Sequence, residues 1–506
     1  MKKIAFAFLT LVTGSANAQP VPAGAPLQLH PQNPHYFLFR EKPTVLITSA
    51  EHYGAVLNLD FDYKTYLDEL ADKGLNYTRI FTGAYTESPG LGDFNIPNNT
   101  LGPKPNRFVA PWKRADADAY SRGYHRGGNK FDLDQWDEAY FNRLKDFVTE
   151  AGQRGIVVEV TFFTAHYSED GWLSSPFHIF NNVNKIDSVA KDNAQTLHNG
   201  NLLDYQEKLV RKLVRELNGF DNVFFELQNE PWAEKGVIVE RGLKQTDPVQ
   251  PGAESWHQVI ETASPASLDW QRKVASFVVE EEKALPKKHL IAQSISNFRH
   301  QITNPDPQVS IFHFHYGFPE AALENQGLNR AIGLDETGFN GTTDSVYRRQ
   351  AWRFLLAGGA LFNNLDYSFT TEDERGGTPS PKAPGGGSAA LRSQLKVLKN
   401  FMNSLNFVAL QPQRDWLRHT PTGTRTYTLA AATLAANRQY AVYFEGTATA
   451  TGDVVLPAGK YREEWVNVLT GQIFQEFTRT HPAGLYELRG PAGKGEVALR
   501  LTKLEK

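Results

Sequence analysis

The first 405 residues alternate between short apolar runs and amphipathic stretches. Apolar runs of strand length occur at 44–49, 77–81, 156–163, 223–227, 289–294, 310–315, 331–334 and 360–365. Between several of them, apolar residues recur at helical spacing, at 63–73, 136–154, 203–217, 268–284 and 346–356. Strands that alternate with helices are typical of a parallel sheet with helices outside it. Eight such strands predict an α/β protein built on a closed (β/α)8 (TIM) barrel over residues 43–407.

Residues on either side of the predicted barrel indicate a leader and a second domain. Residues 1–18 have a positive start, an apolar run and a small-residue cleavage site, so they predict a signal peptide and export to the periplasm or the extracellular space. Residues 19–42 predict a leader and a hairpin, formed by the runs 27–30 and 36–39. The β-rich runs of residues 408–506 predict a small all-β sandwich, with strands at 427–429, 440–444, 453–456, 461–468 and 496–501.

Three long segments follow predicted strands at their carboxyl ends. Residues 86–130 come after the second strand, 233–265 after the fourth, and the glycine-rich 370–387 after the eighth. Loops that follow barrel strands surround one mouth of the barrel. We therefore expect the first two to form walls that favour a cavity closed at one end, and the third to be a candidate lid.

Composition narrows the class of protein. The 506 residues are 41% hydrophobic and 22% charged, as in ordinary globular proteins. The net charge of −3 argues against a nucleic-acid-binding protein, which would need a basic face. The chain has no cysteine, which excludes cysteine nucleophiles and thiolate metal sites. After the leader no apolar run reaches 18 residues, so no membrane span is predicted. We expect a monomer that needs no metal and no organic cofactor.

Two glutamates follow apolar strands at the end where barrel enzymes carry their catalytic groups. Glu230 comes after the run 223–227 and before Pro231, which cannot continue a central strand. Glu336 follows the run 331–334. Acids in such places are commonly turn or cap residues. Two of them on separate strand ends are also what glycosidic hydrolysis requires, because one carboxyl protonates the leaving oxygen and the other attacks the anomeric carbon.

Two polar residues near these glutamates are candidates for the same site. Arg79 lies inside the apolar strand 77–81, where an unpaired charge would be costly. It would keep a neighbouring carboxylate ionised, or else form half of a buried ion pair with Glu159 or Glu226. Asn229 precedes Glu230, and its amide is a candidate ligand for a sugar hydroxyl.

Histidines and tryptophans near the predicted mouth leave more alternatives open. His313 and His315 share one face of a strand, but no third metal ligand accompanies them, so His313 is interpreted as a core histidine. His315 and Tyr316, at the strand end, are candidates for the site. Four tryptophans in or beside the loops would either stack on sugar rings or form a loop core: Trp112, Trp172, Trp232 and Trp256.

These motifs resemble a known family. The sequence Phe-Glu-Leu-Gln-Asn-Glu-Pro at 225–231 resembles the fourth-strand motif of the clan A glycoside hydrolases, especially the cellulase-like family 5. Gly-Leu-Asp-Glu-Thr-Gly at 333–338 is similar to their seventh-strand motif, and Arg79 matches their second-strand arginine. The resemblance covers roughly residues 43–405. It implies a retaining mechanism with Glu230 as acid/base and Glu336 as nucleophile.

The chain departs from that family at two strands. His315 and Tyr316 are similar to the family's sixth-strand His and Tyr, but the residue that separates the two in the family is missing. The family usually carries a Trp at the end of the eighth strand, where this chain has Tyr367 and Phe369 as candidate replacements. The resemblance therefore brings no particular substrate to this chain. Residues 408–506 resemble the small sandwich that follows the barrel in some secreted cellulase-like proteins.

The sequence as a whole predicts an exported, retaining β-glycosidase that hydrolyses a β-linked glycan or oligosaccharide. Glu230 and Glu336 are the predicted catalytic pair. The predicted substrate-binding residues are Asn229, Arg79, His315, Tyr316, Trp232 and Tyr367. The alternative is a non-catalytic glycan-binding protein that keeps the barrel, and the presence of both glutamates argues against it. A serine esterase or peptidase lacks support, because the chain has no Gly-x-Ser-x-Gly motif.

Overall fold

The computed structural model describes residues 24–87, 96–117, 129–243, 255–378, 384–413, 438–445, 450–492 and 496–504. The predicted signal peptide and the predicted strand at 427–429 lie outside these ranges. Among the described residues, no helix combines the length and the apolar character that crossing a membrane requires.

Fifteen strands lie in the described residues before position 413. They are β1 (Gln28–His30), β2 (Asn33–Phe39), β3 (Lys42–Thr44), β4 (Leu46–Ala50), β5 (Tyr77–Phe81), β6 (Trp112–Arg114), β7 (Phe131–Trp136), β8 (Val157–Thr164), β9 (Val223–Asn229), β10 (Val237–Arg241), β11 (Val259–Thr262), β12 (Ile291–Asn297), β13 (Ile311–His315), β14 (Ala331–Glu336) and β15 (Leu361–Leu365). The α-helices of the same ranges are α1 (Tyr63–Asp72), α2 (Glu138–Gln153), α3 (Glu169–Ser174), α4 (Leu202–Leu217), α5 (Trp232–Lys235), α6 (Pro265–Glu282), α7 (Pro319–Glu324), α8 (Asp344–Leu356) and α9 (Ala389–Asn403).

Eight parallel strands form a nearly closed barrel. The hydrogen-bonded order is β4, β15, β14, β13, β12, β9, β8, β5. The seam between β4 and β5 is bridged by Asn76, whose side-chain oxygen accepts from the Ile47 amide at 3.0 Å and whose side-chain nitrogen donates to the Val45 carbonyl at 2.9 Å. The two hydrogen bonds of the Asn76 side chain thus replace backbone hydrogen bonds where the two strands diverge. The predicted (β/α)8 fold is confirmed.

The helices follow the predicted pattern with one gap. β12 leads to β13 without an intervening helix, and α7 between β13 and β14 has only six residues. The connections there are too short for full helices. The strands that the helices cover are buried along their whole length, as parallel strands must be.

The amino-terminal hairpin covers the bottom of the barrel. β1, β2 and β3 form an antiparallel sheet. The Leu27 amide donates to the Asp221 carbonyl at 2.9 Å, and Arg40 pairs with the Asp221 carboxylate at 2.7 Å. Asp221 lies just before β9, at the amino-terminal end of the barrel strands. The hairpin is therefore on the face opposite the strand ends that carry Glu230 and Glu336.

The two long insertions contain short strands of their own. β6 pairs with β7 after the second barrel strand, and β10 pairs with β11 after the fourth. β11 continues onto the edge of β12 through Thr262 and Ser296. β11 thus ties the described part of the second insertion to the rim of the barrel, at the mouth where the insertions were expected.

Antiparallel sheets follow the barrel. They consist of β16 (Gln439–Phe444), β17 (Thr451–Leu456), β18 (Gly459–Asn467), β19 (Ile473–His481), β20 (Gly484–Arg489) and β21 (Val497–Leu504). One sheet has the order β16, β21, β18, β19 and the other pairs β17 with β20. Val454 and Leu488 of the small sheet share a core with Trp465 and Leu499 of the large one, so the two sheets form the predicted sandwich.

The sandwich contacts the barrel through α8. The Trp352 ring stacks on Tyr443 with a centroid distance of 5.4 Å, and Arg348 binds Glu496 at 2.8 Å. The predicted domain boundary after residue 407 falls in a 3-10 turn at Phe407–Ala409. As a division between domains it stays a prediction, as do the bounds of the other predicted segments.

Candidate active site

The carboxyl ends of the barrel strands bring the two predicted glutamates together. Strand β9 ends at Asn229, and Glu230 follows in a left-handed backbone conformation with φ +47°. Glu336 is the last residue of β14. An oxygen of Glu230 and an oxygen of Glu336 lie within 4.8 Å of each other. Retaining glycosidases hold their two carboxyls about 5–5.5 Å apart, whereas inverting ones leave a wider gap for water.

Each oxygen of Glu230 has a partner. The Tyr167 hydroxyl donates to Oε2 at 2.6 Å, and His315 Nδ1 lies 2.9 Å from Oε1. Tyr167 in turn accepts a hydrogen bond from the Asn229 side chain at 2.9 Å, and Arg79 donates to Asn229 Oδ1 at 2.9 Å. A continuous chain of donors therefore fixes the carboxyl in place.

Backbone strain explains how His315 and Tyr316 both reach the site although they are adjacent. Neighbouring residues of a strand point to opposite faces. Tyr316 has a left-handed backbone with φ +54°, which turns its side chain back toward the face that His315 occupies. Both side chains consequently contact Glu230, and the missing residue of the His-x-Tyr spacing is compensated by the backbone. Such strain is found mainly at functional sites, where packing maintains it.

The Tyr316 hydroxyl contacts both carboxyls, at 3.1 Å from Glu230 Oε1 and 2.9 Å from Glu336 Oε1. A hydroxyl has a single proton to donate. Both contacts are hydrogen bonds only if one carboxyl is itself protonated and donates to the tyrosine oxygen. The geometry therefore fits a carboxyl pair that holds one proton, which is the form that a retaining glycosidase uses.

Arg79 lies under the site with no exposed surface. Its guanidinium binds Glu226, donates to Glu336 Oε2 at 3.4 Å and lies 3.3 Å from Asp335. Arg79 is therefore part of a buried ion pair with Glu226 and also contacts Glu336. That it keeps the nucleophile ionised stays a prediction. Glu159 is farther away, at 4.0 Å.

The electrostatics of the carboxyl pair differ from the roles that the family resemblance implies. Burial raises the pKa of Glu336, and the neighbouring Glu230 carboxylate raises it further, against His315 and Arg79. Burial acts on Glu230 as well, but hydrogen bonds from His315, Tyr167 and Tyr316 outweigh it and lower its pKa. The shared proton is thus favoured on Glu336 before substrate binds. The bridging Tyr316 hydroxyl offers a path between the two carboxyls.

Asp335 sets the charge of His315. It is fully buried, with Oδ1 3.3 Å from His315 Nε2 and Oδ2 2.9 Å from His313 Nδ1. Burial would lower the pKa of His315, but Asp335 and Glu336 hold it well above its usual value. Asp335 itself keeps a pKa well below its usual value, because His313, His315 and Arg79 outweigh its burial. His315 is therefore a cation that faces Glu230.

Two cavities that share lining residues open around the carboxyl pair. The narrow one has a volume of about 30 Å³ and is lined by both Glu230 and Glu336. The wide one has a volume of about 420 Å³ and reaches Glu230 but not Glu336. Tyr167 and Tyr316 belong to both, so the wider space lies on the Glu230 side of the pair.

The remaining predicted residues divide between the cavity walls and the interior. Asn229 and Tyr367 line the narrow cavity, and Trp232 lines the wide one. Arg79 and His315 have no exposed surface and lie behind the carboxyls rather than on a wall. In this structure Arg79 donates to Glu336 and His315 Nδ1 lies 2.9 Å from Glu230, and their predicted contact with substrate stays a prediction.

The other tryptophans of the loops divide in the same way. Trp256 lines the wide cavity, whereas Trp112 and Trp172 are buried in the loop core. Sequence reasoning missed Tyr167 and His52, which follow the third and first barrel strands. Polar residues after an apolar strand are the signal that would have found both.

Two groups of side chains have the donor types of a metal site. Glu159, Glu226, His313 and Asp335 have ligand atoms within 4.8 Å of one another, and so do Glu230, His315 and Glu336. The Arg79 guanidinium already binds Glu226 in the first group. In the second, Tyr316 and Arg79 donate to the same carboxyls. Positive charge and donors are thus supplied by the chain itself in both groups.

Comparison with known proteins extends this picture. No protein-family model and no curated protein matches the chain. Among solved structures, a candidate glycoside hydrolase from Bacteroides vulgatus matches with a TM-score of 0.62 at 13% identity, over 95% of this chain and 82% of that one. A family 5 glycoside hydrolase from the same organism gives 0.57 at 12% identity, over 95% and 93%. The chain has the fold of these glycoside hydrolases. The resemblance seen at 225–231 and 333–338 is therefore confirmed at the level of the fold.

Proposed function

We propose that this protein is a retaining β-glycosidase that hydrolyses a β-linked glycan or oligosaccharide. The observation that carries the proposal is the carboxyl pair of Glu230 and Glu336, within 4.8 Å, at the mouth of a barrel. The shared fold with glycoside hydrolases supports it. A binding protein would have no need to hold two carboxyls this close, where their charges repel each other.

The cavities support Glu336 as the nucleophile and Glu230 as the acid/base. A nucleophile lies under the sugar that it attacks, and a general acid lies beside the leaving group. Glu336 lines only the narrow cavity, whereas Glu230 lines both cavities. The sugar that is attacked therefore occupies the narrow side, and the leaving group extends into the wide side.

The reaction proceeds in two steps. Glu336 attacks the anomeric carbon and forms a glycosyl ester, while Glu230 gives its proton to the leaving oxygen. Glu230 then takes a proton from water, the water attacks the same carbon, and Glu336 is released. The first step starts from the form with the proton on Glu230. The pKa directions of the two carboxyls favour the proton on Glu336. Substrate binding therefore shifts the proton to Glu230 through the Tyr316 bridge.

Hydrolysis of 4-nitrophenyl β-glycosides tests the activity, with proton NMR of the product formed first. We expect a β-anomer and complete loss of activity in Glu336→Ala. Glu487→Ala, an exposed glutamate of the sandwich, is the matched control and should keep full activity. An α-anomer as first product would refute the retaining mechanism. Binding of glycans without any hydrolysis would favour the non-catalytic alternative.

The assignment of roles has its own test. A 2-deoxy-2-fluoro β-glycoside with a good leaving group traps the glycosyl ester of a retaining enzyme. Mass spectrometry of peptides from the trapped protein should find the label on Glu336. A label on Glu230 would reverse the two roles. It would agree with the lowered pKa of Glu230 and the raised pKa of Glu336.

Export is proposed on the basis of residues 1–18. Cleavage after residue 18 would leave Gln19 as the first residue of the mature chain. Intact mass of the protein recovered from periplasm and medium, with the cytoplasm as reference, measures this directly. An uncleaved chain confined to the cytoplasm would contradict it.

A further inference from the structure

We infer that His52 and Tyr367 form hydrogen bonds to one neutral, hydroxyl-bearing substituent of the attacked sugar and thereby determine which sugar the enzyme accepts. The inference rests on the proposed function and names the part of the substrate that enters the narrow cavity. Its first ground is a pair of buried polar atoms without partners. His52 Nδ1 and the Tyr367 hydroxyl have no hydrogen-bond partner among the described residues, although both side chains are more than nine-tenths buried.

Buried polar atoms without partners are rare, because each loses its hydrogen bonds to water. These two atoms belong to residues that line the narrow cavity, together with Glu230 and Glu336. The two rings contact each other edge to face, with a centroid distance of 5.5 Å. A polar group of the substrate that enters this cavity is therefore within reach of both residues.

The size of the narrow cavity limits what it holds. Its volume is about 30 Å³. By the same measure a water molecule needs roughly 10–15 Å³, so the cavity has room for about two or three waters. That room suits a hydroxyl or hydroxymethyl group, and the ring that carries the group stays at the opening of the cavity. Because Glu336 lines this cavity and not the wide one, the group belongs to the attacked sugar rather than to the leaving group.

The charges around the cavity favour a neutral substituent. Three of the lining residues are acids, Glu87, Glu230 and Glu336, so a carboxylate on the sugar would be repelled. Burial would lower the pKa of His52, but the Glu87 carboxylate, 3.2 Å from Nε2, outweighs it and raises the pKa, so that Nδ1 also carries a proton. An ammonium group on the sugar would face this imidazolium. A hydroxyl group instead accepts a hydrogen bond from Nδ1 and donates its own proton to a carboxylate.

Both side chains are held in place by their neighbours. A Cβ added at Gly385 would lie 2.5 Å from the Tyr367 ring, so the backbone there packs directly against the tyrosine. His52 is oriented by Glu87, which in turn accepts a hydrogen bond from the Tyr85 hydroxyl at 3.3 Å. Groups that are fixed before the substrate arrives discriminate between sugars, because they do not move to accommodate the wrong one.

Deoxy sugars combined with a single-atom variant test the inference. The best of the 4-nitrophenyl β-glucoside, β-galactoside, β-mannoside, β-xyloside, β-glucuronide and β-glucosaminide is compared with its deoxy forms, each of which lacks one hydroxyl. Tyr367→Phe should lower kcat/KM for the parent sugar roughly 2- to 10-fold, the loss of one hydrogen bond. The deoxy form that lacks the recognised hydroxyl should be unaffected by the substitution, because it has nothing left to lose.

The contrary outcomes separate the inference from the proposed function. A glucuronide or glucosaminide as the best substrate would overturn the inference and leave the proposed function intact. So would an equal loss on the parent and on every deoxy form, or no loss at all, since the two polar atoms would then bind water only. No turnover of any aryl glycoside would overturn both.

A second variant tests the histidine. His52→Gln places an amide near the position of Nε2, where it still reaches Glu87, and removes the group at Nδ1. It should lower kcat/KM for the parent sugar and spare the same deoxy form that Tyr367→Phe spares. Tyr140→Phe is the matched control, because it also removes a buried hydroxyl without a partner in the described protein, at a residue that lines neither cavity. Its kcat/KM should equal that of the wild type on every probe. Two site variants that spare different deoxy forms would overturn the inference of one shared substituent.

Discussion

The Tyr316 hydroxyl offers the sharpest single-atom test of the site, because it contacts both carboxyls. Tyr316→Phe removes this oxygen and leaves the ring, whose packing against Trp256 at 5.0 Å and Phe339 at 5.9 Å is retained. The fold should therefore be unchanged, and thermal unfolding should occur within a degree or two of the wild type. Any loss of activity then reports on the carboxyl pair.

The magnitude follows from the contacts. A hydrogen bond to a charged group contributes about 1.5–3 kcal/mol. At about 1.4 kcal/mol per tenfold change in rate, its loss should lower kcat/KM roughly 10- to 150-fold. Loss of Glu336 itself should abolish turnover, because it removes the carboxylate that attacks the anomeric carbon.

The pH profile gives a second readout. The hydroxyl donates to an ionised carboxyl and so lowers its pKa. Its removal raises that pKa, and the acid limb of kcat/KM, which reports the ionised carboxyl of the free enzyme, should move to higher pH. A purely structural role of Tyr316 would lower activity without moving the limb.

The assay is initial-rate hydrolysis of the best 4-nitrophenyl β-glycoside between pH 4 and 9. Tyr140→Phe is the matched control, since its buried hydroxyl has no hydrogen-bond partner in the described protein and Tyr140 lines neither cavity. A loss below threefold in Tyr316→Phe, with an unmoved acid limb, would refute the idea that the hydroxyl bridges the pair.

Three further changes test the surroundings of the site. Asp335→Asn should lower the pKa of His315, because it removes the buried carboxylate beside it. A less charged His315 stabilises the ionised Glu230 less, so the basic limb of the pH profile should move to higher pH. Arg392→Met should cost about 3–5 kcal/mol in chemical denaturation, because it leaves Asp366, 2.8 Å from the guanidinium, as an unpaired buried charge. Burial raises the pKa of Glu51 to about 7, so folding stability should fall by about 3 kcal/mol as the pH rises from about 4.5 through 7. Glu51→Gln should flatten that part of the curve. An unchanged pH profile in Asp335→Asn would contradict the first prediction. A denaturation midpoint equal to the wild type in Arg392→Met would contradict the second, and a pH slope unaffected by Glu51→Gln would contradict the third.

The barrel could be predicted because its strands are buried on both faces. A strand such as β8 or β9 then appears as a mainly apolar run, although Glu159 and Glu226 lie within these two runs. The same logic located Glu230 and Glu336. It fails for strands with one exposed face in the sandwich: β19 carries mostly exposed polar residues and β20 alternates, and neither was predicted.

The residues that complete the site were harder to predict, because their positions depend on contacts between distant segments. Tyr167 reaches Glu230 across 63 positions of the chain, and Glu87 reaches His52 across 35. Nothing local in the sequence specifies these pairs. Arg79 shows the opposite case. A lone charge inside an apolar strand indicates a buried partner, although it does not tell whether that partner is structural or belongs to the candidate site.

Left-handed backbone at strand ends is the physical reason why simple strand periodicity misplaces this site. Tyr53, Glu230, Tyr316 and Phe339 all have φ between +47° and +58°, and all four line the narrow cavity. None is glycine, so each conformation is unfavourable in isolation and persists only because the surrounding packing maintains it. Strict alternation would direct Tyr316 away from His315 and out of the cavity. A glycine at position 316 would relax that strain but lose the bridging hydroxyl, which is why a side chain costly to its own backbone remains at the centre of the site.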